Sequence, residues 1–203
     1  MQNSIKPELK EAGIDEAGRG CLMGRVYTGA VILPKDFPDE LYLEIKDSKK
    51  LSKKNRDKMR RYIETHAIAW AVDYATVEEV DKFNILKATL MSMHRAVAKL
   101  SVTPEHLAVD GNRFMVYMDD DDEIIPHTLV TSGDNKYRNI AAASILAKTH
   151  RDEYVTRIIE ETPDFKKYGW ETNMGYGTKK HMEGINKYGI TEYHRKSFKP
   201  CQI

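Results

Sequence analysis

Gly13-Ile14-Asp15-Glu16-Ala17-Gly18-Arg19-Gly20 is the stretch whose reading decides the fold. It places two adjacent carboxylates directly before a Gly-Arg-Gly turn, so a candidate metal site adjoins a loop flexible and basic enough to touch a phosphate backbone. Taken alone, the octapeptide is equally a strand that ends in a glycine turn with two solvated acids. Residues 11 to 17 and 25 to 33, the second run stopping at Pro34, read as two strands with a glycine-bearing connection, a hairpin at the start of a sheet. Neighbours on a regular strand face opposite sides of the sheet, so the strand has to bend or end if Asp15 and Glu16 are to reach one site.

Further along, Asp47-Ser48-Lys49-Lys50-Leu51-Ser52 reads as a turn into a helix, with Ser52 as N-cap and Met59 and Ile63 as a narrow apolar stripe. Residues 68 to 76 have strand character, and Val77 to Asp81 begin a short helical turn. Leu86, Leu90, Met93, Val97 and Leu100 recur at spacings of four, three, four and three, the core face of a helix. Leu107-Ala108-Val109 is a short buried strand that delivers Asp110 to a sheet edge, although Asp110-Gly111 is equally a common turn. The acidic stretch from about 111 to 126 reads as a loop. Thr128 to Thr131 give another strand, followed by Ser132-Gly133-Asp134, where Asp134 is either a strand-end acid or the N-cap or first-turn acid of the next helix. That helix, from Ile140 toward Glu160, carries small residues suited to close packing on a sheet, and Pro163 stops it.

Composition narrows the function classes. With 32 basic against 31 acidic residues in 203, the molecule is no polycation, so any nucleic-acid surface must be local. Residues 46 to 61 hold nine Lys or Arg and two Asp, and the tail from about 165 to 203 is basic with interleaved aromatics. Two cysteines make no disulfide framework, and no apolar run reaches the length of a membrane span. These features predict one domain over 1–203, cytoplasmic, without membrane association, and most simply a monomer.

Asp15 with Glu16, Asp110 and Asp134 thus fall at the ends of three predicted strands. Carboxylates converging on one sheet edge repel unless cations neutralise them, and oxygen-only ligands favour Mg²⁺ or Mn²⁺ over zinc. Two such ions could serve phosphodiester hydrolysis. A nucleotide-binding P-loop is a poor alternative, because Arg19-Gly20 stands where Lys-Ser/Thr is needed and two acids would lie in the phosphate cradle. A non-catalytic binding module explains the cations and leaves the four acids without a purpose.

At this point the chain resembles the ribonuclease HII family from about Gly13 to Phe198. The matching residues are 15–20, Asp47-Ser48-Lys49-Lys50-Leu51, Val109-Asp110-Gly111, Gly133-Asp134 with 141–148 and Arg151-Asp152, Gly175 to His181, and His194-Arg195 with Ser197-Phe198. The resemblance implies an α/β fold, a ribonuclease H-like mixed β-sheet flanked by helices with a small helical C-terminal segment that contacts substrate. It implies that Asp15, Glu16, Asp110 and Asp134 are the catalytic, metal-binding acids. It further implies that Gly18-Arg19-Gly20 reads a ribonucleotide 2′-hydroxyl and that Tyr176 stacks on the deoxyribose 3′ to it. The activity so implied is metal-dependent cleavage of RNA/DNA hybrids and of ribonucleotide-containing duplex DNA, 5′ to the ribonucleotide, leaving 3′-hydroxyl and 5′-phosphate ends. Lys49, Lys50, Lys179 and Lys180 are expected phosphate contacts. Cys21, Met23 and Arg25 depart from the residues usual there, and no sliding-clamp-binding tail is expected after Phe198.

Overall fold

The computed structural model describes residues 1–202. β1 (Glu11–Ala17) and β2 (Val26–Ile32) form the expected antiparallel hairpin, with Ala12 opposite Ile32 and Ala17 opposite Tyr27. β3 (Ala69–Ala75) extends the sheet antiparallel to β2. On the other side β4 (His106–Asp110) runs parallel to β1. The stretch expected to be an acidic loop instead forms a small hairpin of β5 (Tyr117–Met118) and β6 (Ile124–Ile125). Its buried Tyr117 and Ile125 supply the apolar anchor, while Asp119 closes the tip by accepting the N–H groups of Asp121 and Glu123, each at 3.0 Å. β7 (His127–Val130) then pairs parallel to β4, giving the mixed order β3-β2-β1-β4-β7.

Helices cover both faces. On one lies α3 (Ile85–Ala98), after α1 (Lys53–His66) and α2 (Val77–Phe83) in the chain. Its Leu90, Met93 and Val97 pack with Ala12, Ile14, Ala30 and Leu107 as the periodicity requires, each such burial stabilising by about 1.5–3 kcal/mol. Leu100 falls just beyond the helix and packs at the margin. Ser52 caps α1 as expected, accepting the Asn55 N–H at 3.3 Å.

On the other face α4 (Arg138–Glu161) crosses β1 and β2, with Thr162 as its C-cap before Pro163. The approach is close enough to require glycine on the sheet: a Cβ at Gly13 would stand 2.2 Å from the Asn139 carbonyl carbon, and one at Gly29 would stand 2.5 Å from the Ala143 oxygen. The small residues Ala141, Ala142 and Ala143 are therefore the helix's half of a backbone-to-backbone contact. Beyond α4, the short α5 (Trp170–Asn173) and α6 (Lys179–Tyr188) form the C-terminal segment around the stacked rings of Tyr168 and Trp170, 5.0 Å apart. No helix is long and apolar enough to cross a membrane among the described residues.

Candidate active site

The alternation of β1 sends its two consecutive acids to opposite sides of one sheet end. Gly13 faces α4, as does Asp15, whose carboxylate lies on the side of Ser144 on that helix. Ile14 points to the α3 side, and Glu16 follows it into a cleft lined by Leu90, Asp110 and Arg113. Ile14 pairs with Val109 in the parallel register, so the next step along both strands brings Asp15 abreast of Asp110. Asp15 and Glu16 thus leave opposite faces of the sheet and flank its end, with Asp110 common to both. No bend is required.

Asp134 arrives from a separate element. Asp110 accepts the Gly133 N–H at 2.6 Å, which ties the 3₁₀ turn Gly133–Asn135 to the end of β4. Asp134 does not cap the following helix: the N-cap of α4 is Tyr137, and no side chain bonds there. Instead Asp134 is buried, accepts from Asn135 Nδ2 at 3.0 Å and lies 3.8 Å from Lys49 Nζ.

Burial, then the charges of Glu16 and Asp110, holds the Asp15 carboxyl well above the usual range. Burial raises Glu16 despite the Arg19 guanidinium 3.2 Å away, and burial also raises Asp110. Burial works against the charge on Lys49, but Asp134, Asp47, Asp15 and Asp110 outweigh it and raise its pKa. Among the described residues no three His, Cys, Asp or Glu side chains already enclose one point. The donor set is nonetheless all oxygen, and its mutual repulsion is of the kind that a hard divalent cation relieves, so the residues fit Mg²⁺ or Mn²⁺.

Gly18, at φ +96°, begins the turn after β1, and Cys21 donates its N–H back to the Gly18 carbonyl at 3.3 Å, leaving Arg19 and Gly20 as the central pair. Any side chain at Gly18 would strike Arg151, whose Nε is 2.1 Å from the position of a Cβ. Tyr176 bridges Cys21 through the backbone, and its half-exposed ring lies 4.0 Å from where a Gly20 Cβ would be. Turn and tyrosine therefore adjoin as expected.

The lysines divide. Lys49 stands at the acids, and Lys50 bonds Asn135 beside them. Lys179 and Lys180 open α6 and pair instead with Glu183 at 3.9 Å and Glu171 at 3.1 Å. Sequence reasoning gave no role to Ser144 against Asp15, to Lys148 and Arg151, each 6.0 Å from the Tyr176 ring centroid, or to Arg195 beneath the turn. All four lie in stretches that matched the family, and that was their only signal.

A five-stranded mixed sheet covered by helices, with acids grouped at the carboxyl ends of its two central parallel strands, defines a nuclease of the ribonuclease H type. The chain belongs to the ribonuclease HII family, whose model matches residues 12–201. It is 55% identical over 194 residues to a ribonuclease HII from Bacteroides thetaiotaomicron, covering 96% of this chain and 92% of that one. Its fold is similar to that of ribonuclease H2 from Pyrococcus horikoshii, with a TM-score of 0.76 at 23% identity over 95% of each chain. It is also similar to a Bst ribonuclease HIII in complex with Mn²⁺, with a TM-score of 0.69 at 18% identity over 100% of this chain and 72% of that one. Family membership makes this chain a nuclease acting on RNA/DNA hybrids.

Proposed function

We propose that this chain cuts hybrids and also incises duplex DNA 5′ to a single embedded ribonucleotide, leaving 3′-hydroxyl and 5′-phosphate ends. The observation that carries the reading is the adjacency of the four acids to a Gly-Arg-Gly turn that touches Tyr176. Asp15, Glu16, Asp110 and Asp134 would hold two divalent cations, Mg²⁺ or Mn²⁺; the Mn²⁺ of the similar ribonuclease HIII supports the choice of hard ions. Bound there, such ions supply activation of the attacking water and stabilisation of charge on the scissile phosphate and leaving oxygen.

The chain's own residues do the rest. The backbone of Gly18, Arg19 and Gly20 hydrogen-bonds the 2′-hydroxyl, the group that separates RNA from DNA. Tyr176 stacks on the adjoining deoxyribose, with Lys148 and Arg151 supporting its ring. Arg19 reaches from the turn to Glu16 and orients that acid. Lys49 and Lys50 lie where the phosphate backbone would pass. The buried, free Cys21 and Cys201 suit a reducing cytoplasm.

A labelled duplex with one ribonucleotide, incubated with Mg²⁺, Mn²⁺ or chelator, tests the reading. Metal-dependent cutting at the 5′ side of the ribonucleotide is expected. Cutting of a continuous hybrid but not of this duplex would refute it.

A further inference from the structure

Arg195 is fully buried, yet its hydrogen bonds all go to main-chain carbonyls of the segment after β1. Nη2 donates to Gly18 at 2.8 Å, Nη1 to Arg19 at 2.9 Å and Cys21 at 2.7 Å, and Nε to Gly24 at 2.9 Å. Phe198 covers the guanidinium, its ring centroid 5.2 Å away. Burial lowers the pKa to about 10, so the group is still charged at neutral pH. Four carbonyl dipoles answer that charge.

The consequence for the turn follows from peptide geometry. In a trans peptide the C=O of one residue and the N–H of the next point in opposite directions. Drawing the Gly18 and Arg19 carbonyls inward to Arg195 therefore turns the Arg19 and Gly20 N–H groups outward, as two successive donors facing away from the core.

The preceding residue holds the other half of the recognition surface. His194 Nδ1 accepts the Thr191 N–H at 2.9 Å, so Nε2 carries the proton and donates to His181 Nε2 at 3.1 Å. Trp170 Nε1 donates to the same nitrogen at 3.0 Å, which leaves His181 Nδ1–H to donate to the Tyr176 carbonyl at 2.9 Å. The following residues are fixed as well: Asp81 accepts the N–H groups of Lys196 at 3.0 Å and Ser197 at 2.9 Å. One short strap thus grips the turn with one residue and, through His181, the tyrosine segment with its neighbour.

We propose that His194-Arg195 is a positioning element that sets the gap between the Gly18-Arg19-Gly20 turn and Tyr176, and through that gap selects a lone ribonucleotide. The inference rests on the function proposed above. A lone ribonucleotide offers one 2′-hydroxyl beside one deoxyribose, so turn and ring must engage in a single register. A continuous RNA strand offers a 2′-hydroxyl at every step, and a misplaced turn loses less there.

The test is the ratio of kcat/KM on a one-ribonucleotide duplex to that on a continuous hybrid, with Mg²⁺. Arg195→Lys keeps the charge but replaces the planar fork with a single ammonium. The ratio should fall about tenfold, while Val97→Ala, a core change under α3, lowers the Tm and leaves the ratio as it was. A folded Arg195→Lys protein with the wild-type ratio overturns the inference alone. Wild-type protein that cuts hybrid but not the one-ribonucleotide duplex overturns the functional reading and the inference with it. Should Arg195→Lys not fold, NMR of the ¹⁵N-labelled wild type in chelator decides. The Arg195 Nε–H should resist exchange, and the Arg19 and Gly20 amides should shift with a ribonucleotide-containing duplex and not with all-DNA. Rapid exchange of that proton, or equal shifts with both duplexes, overturns the inference.

Discussion

Asp15 stands on β1 just before the Gly18-Arg19-Gly20 turn and Arg195 holds the carbonyls of that turn, and solvent barely reaches either of them. Their surroundings differ in kind. Asp15 has Glu16 and Asp110 for neighbours, like charges that add to the penalty of burial, whereas Arg195 meets four carbonyl oxygens. The fold matches the arginine in full, whereas the Glu16 N–H and the charge of Lys49 leave the complement of the acid incomplete. Buried charge left uncompensated is where an incoming ion completes the structure, and buried charge already matched belongs to the frame that holds the site in register.

Removing one acid puts this contrast under the greatest strain. Asp15→Asn should lower cleavage by about 10³-fold and, in chelator, raise the Tm by a few degrees, because a repelling charge is gone. Activity assays and calorimetry check both, and a folded, fully active variant breaks the assignment. On the framing side, burial and then the charge of His181 lower the His194 pKa to about 4, against about 6.5 in an unfolded chain. The unfolded state therefore takes up the proton first. Stability from the neutral imidazole is complete above about pH 6.5 and is lost as pH falls toward 4, by up to about 3 kcal/mol. Urea melts at pH 7 and pH 4.5 should show this loss, and His194→Gln should flatten it.

Smaller effects sharpen the boundary between the two regions. Tyr176→Ala should lower cleavage at a lone ribonucleotide about tenfold, the scale of one stacking contact, with a smaller loss on continuous hybrid. Equal losses on both substrates would remove the tyrosine from recognition. Replacing either Lys179 or Lys180 by Ala should shallow the log-log salt dependence of binding by about one unit if that lysine meets a phosphate. An unchanged slope would leave it as the surface ion-pair partner seen here.

Much of this was legible from local pattern. The spacing from Leu86 to Val97 gave α3, the small residues of 141–143 foretold close packing of α4, and Pro163 marked its end. Asp15, Glu16 and Asp110 were legible as acids at strand ends, whereas Asp134 sits on the 3₁₀ turn beyond β7. The placing of Asp110 abreast of Asp15 was not, because it depends on the register between β1 and β4, a non-local pairing that no window of sequence contains. The hairpin of β5 and β6 was masked by its acidic tip, whose charges hide the inward pair Tyr117 and Ile125. Arg195 was harder still, since an arginine in a basic tail reads as a solvated phosphate contact until the carbonyls around it are known.

The missing side chain at Gly13 has a mechanical consequence for the chemistry. It acts as a spacer of zero thickness: even one methyl group would wedge α4 off the sheet, because the Asn139 backbone already occupies that room. Ser144 rides on the same helix and would be carried away from Asp15, while Glu16, seated on the α3 face, would stay where it is. A substitution that meets neither metal nor substrate would then put the two jaws of the acid site out of alignment, which makes the thickness of the β1–α4 contact a calibration of the enzyme.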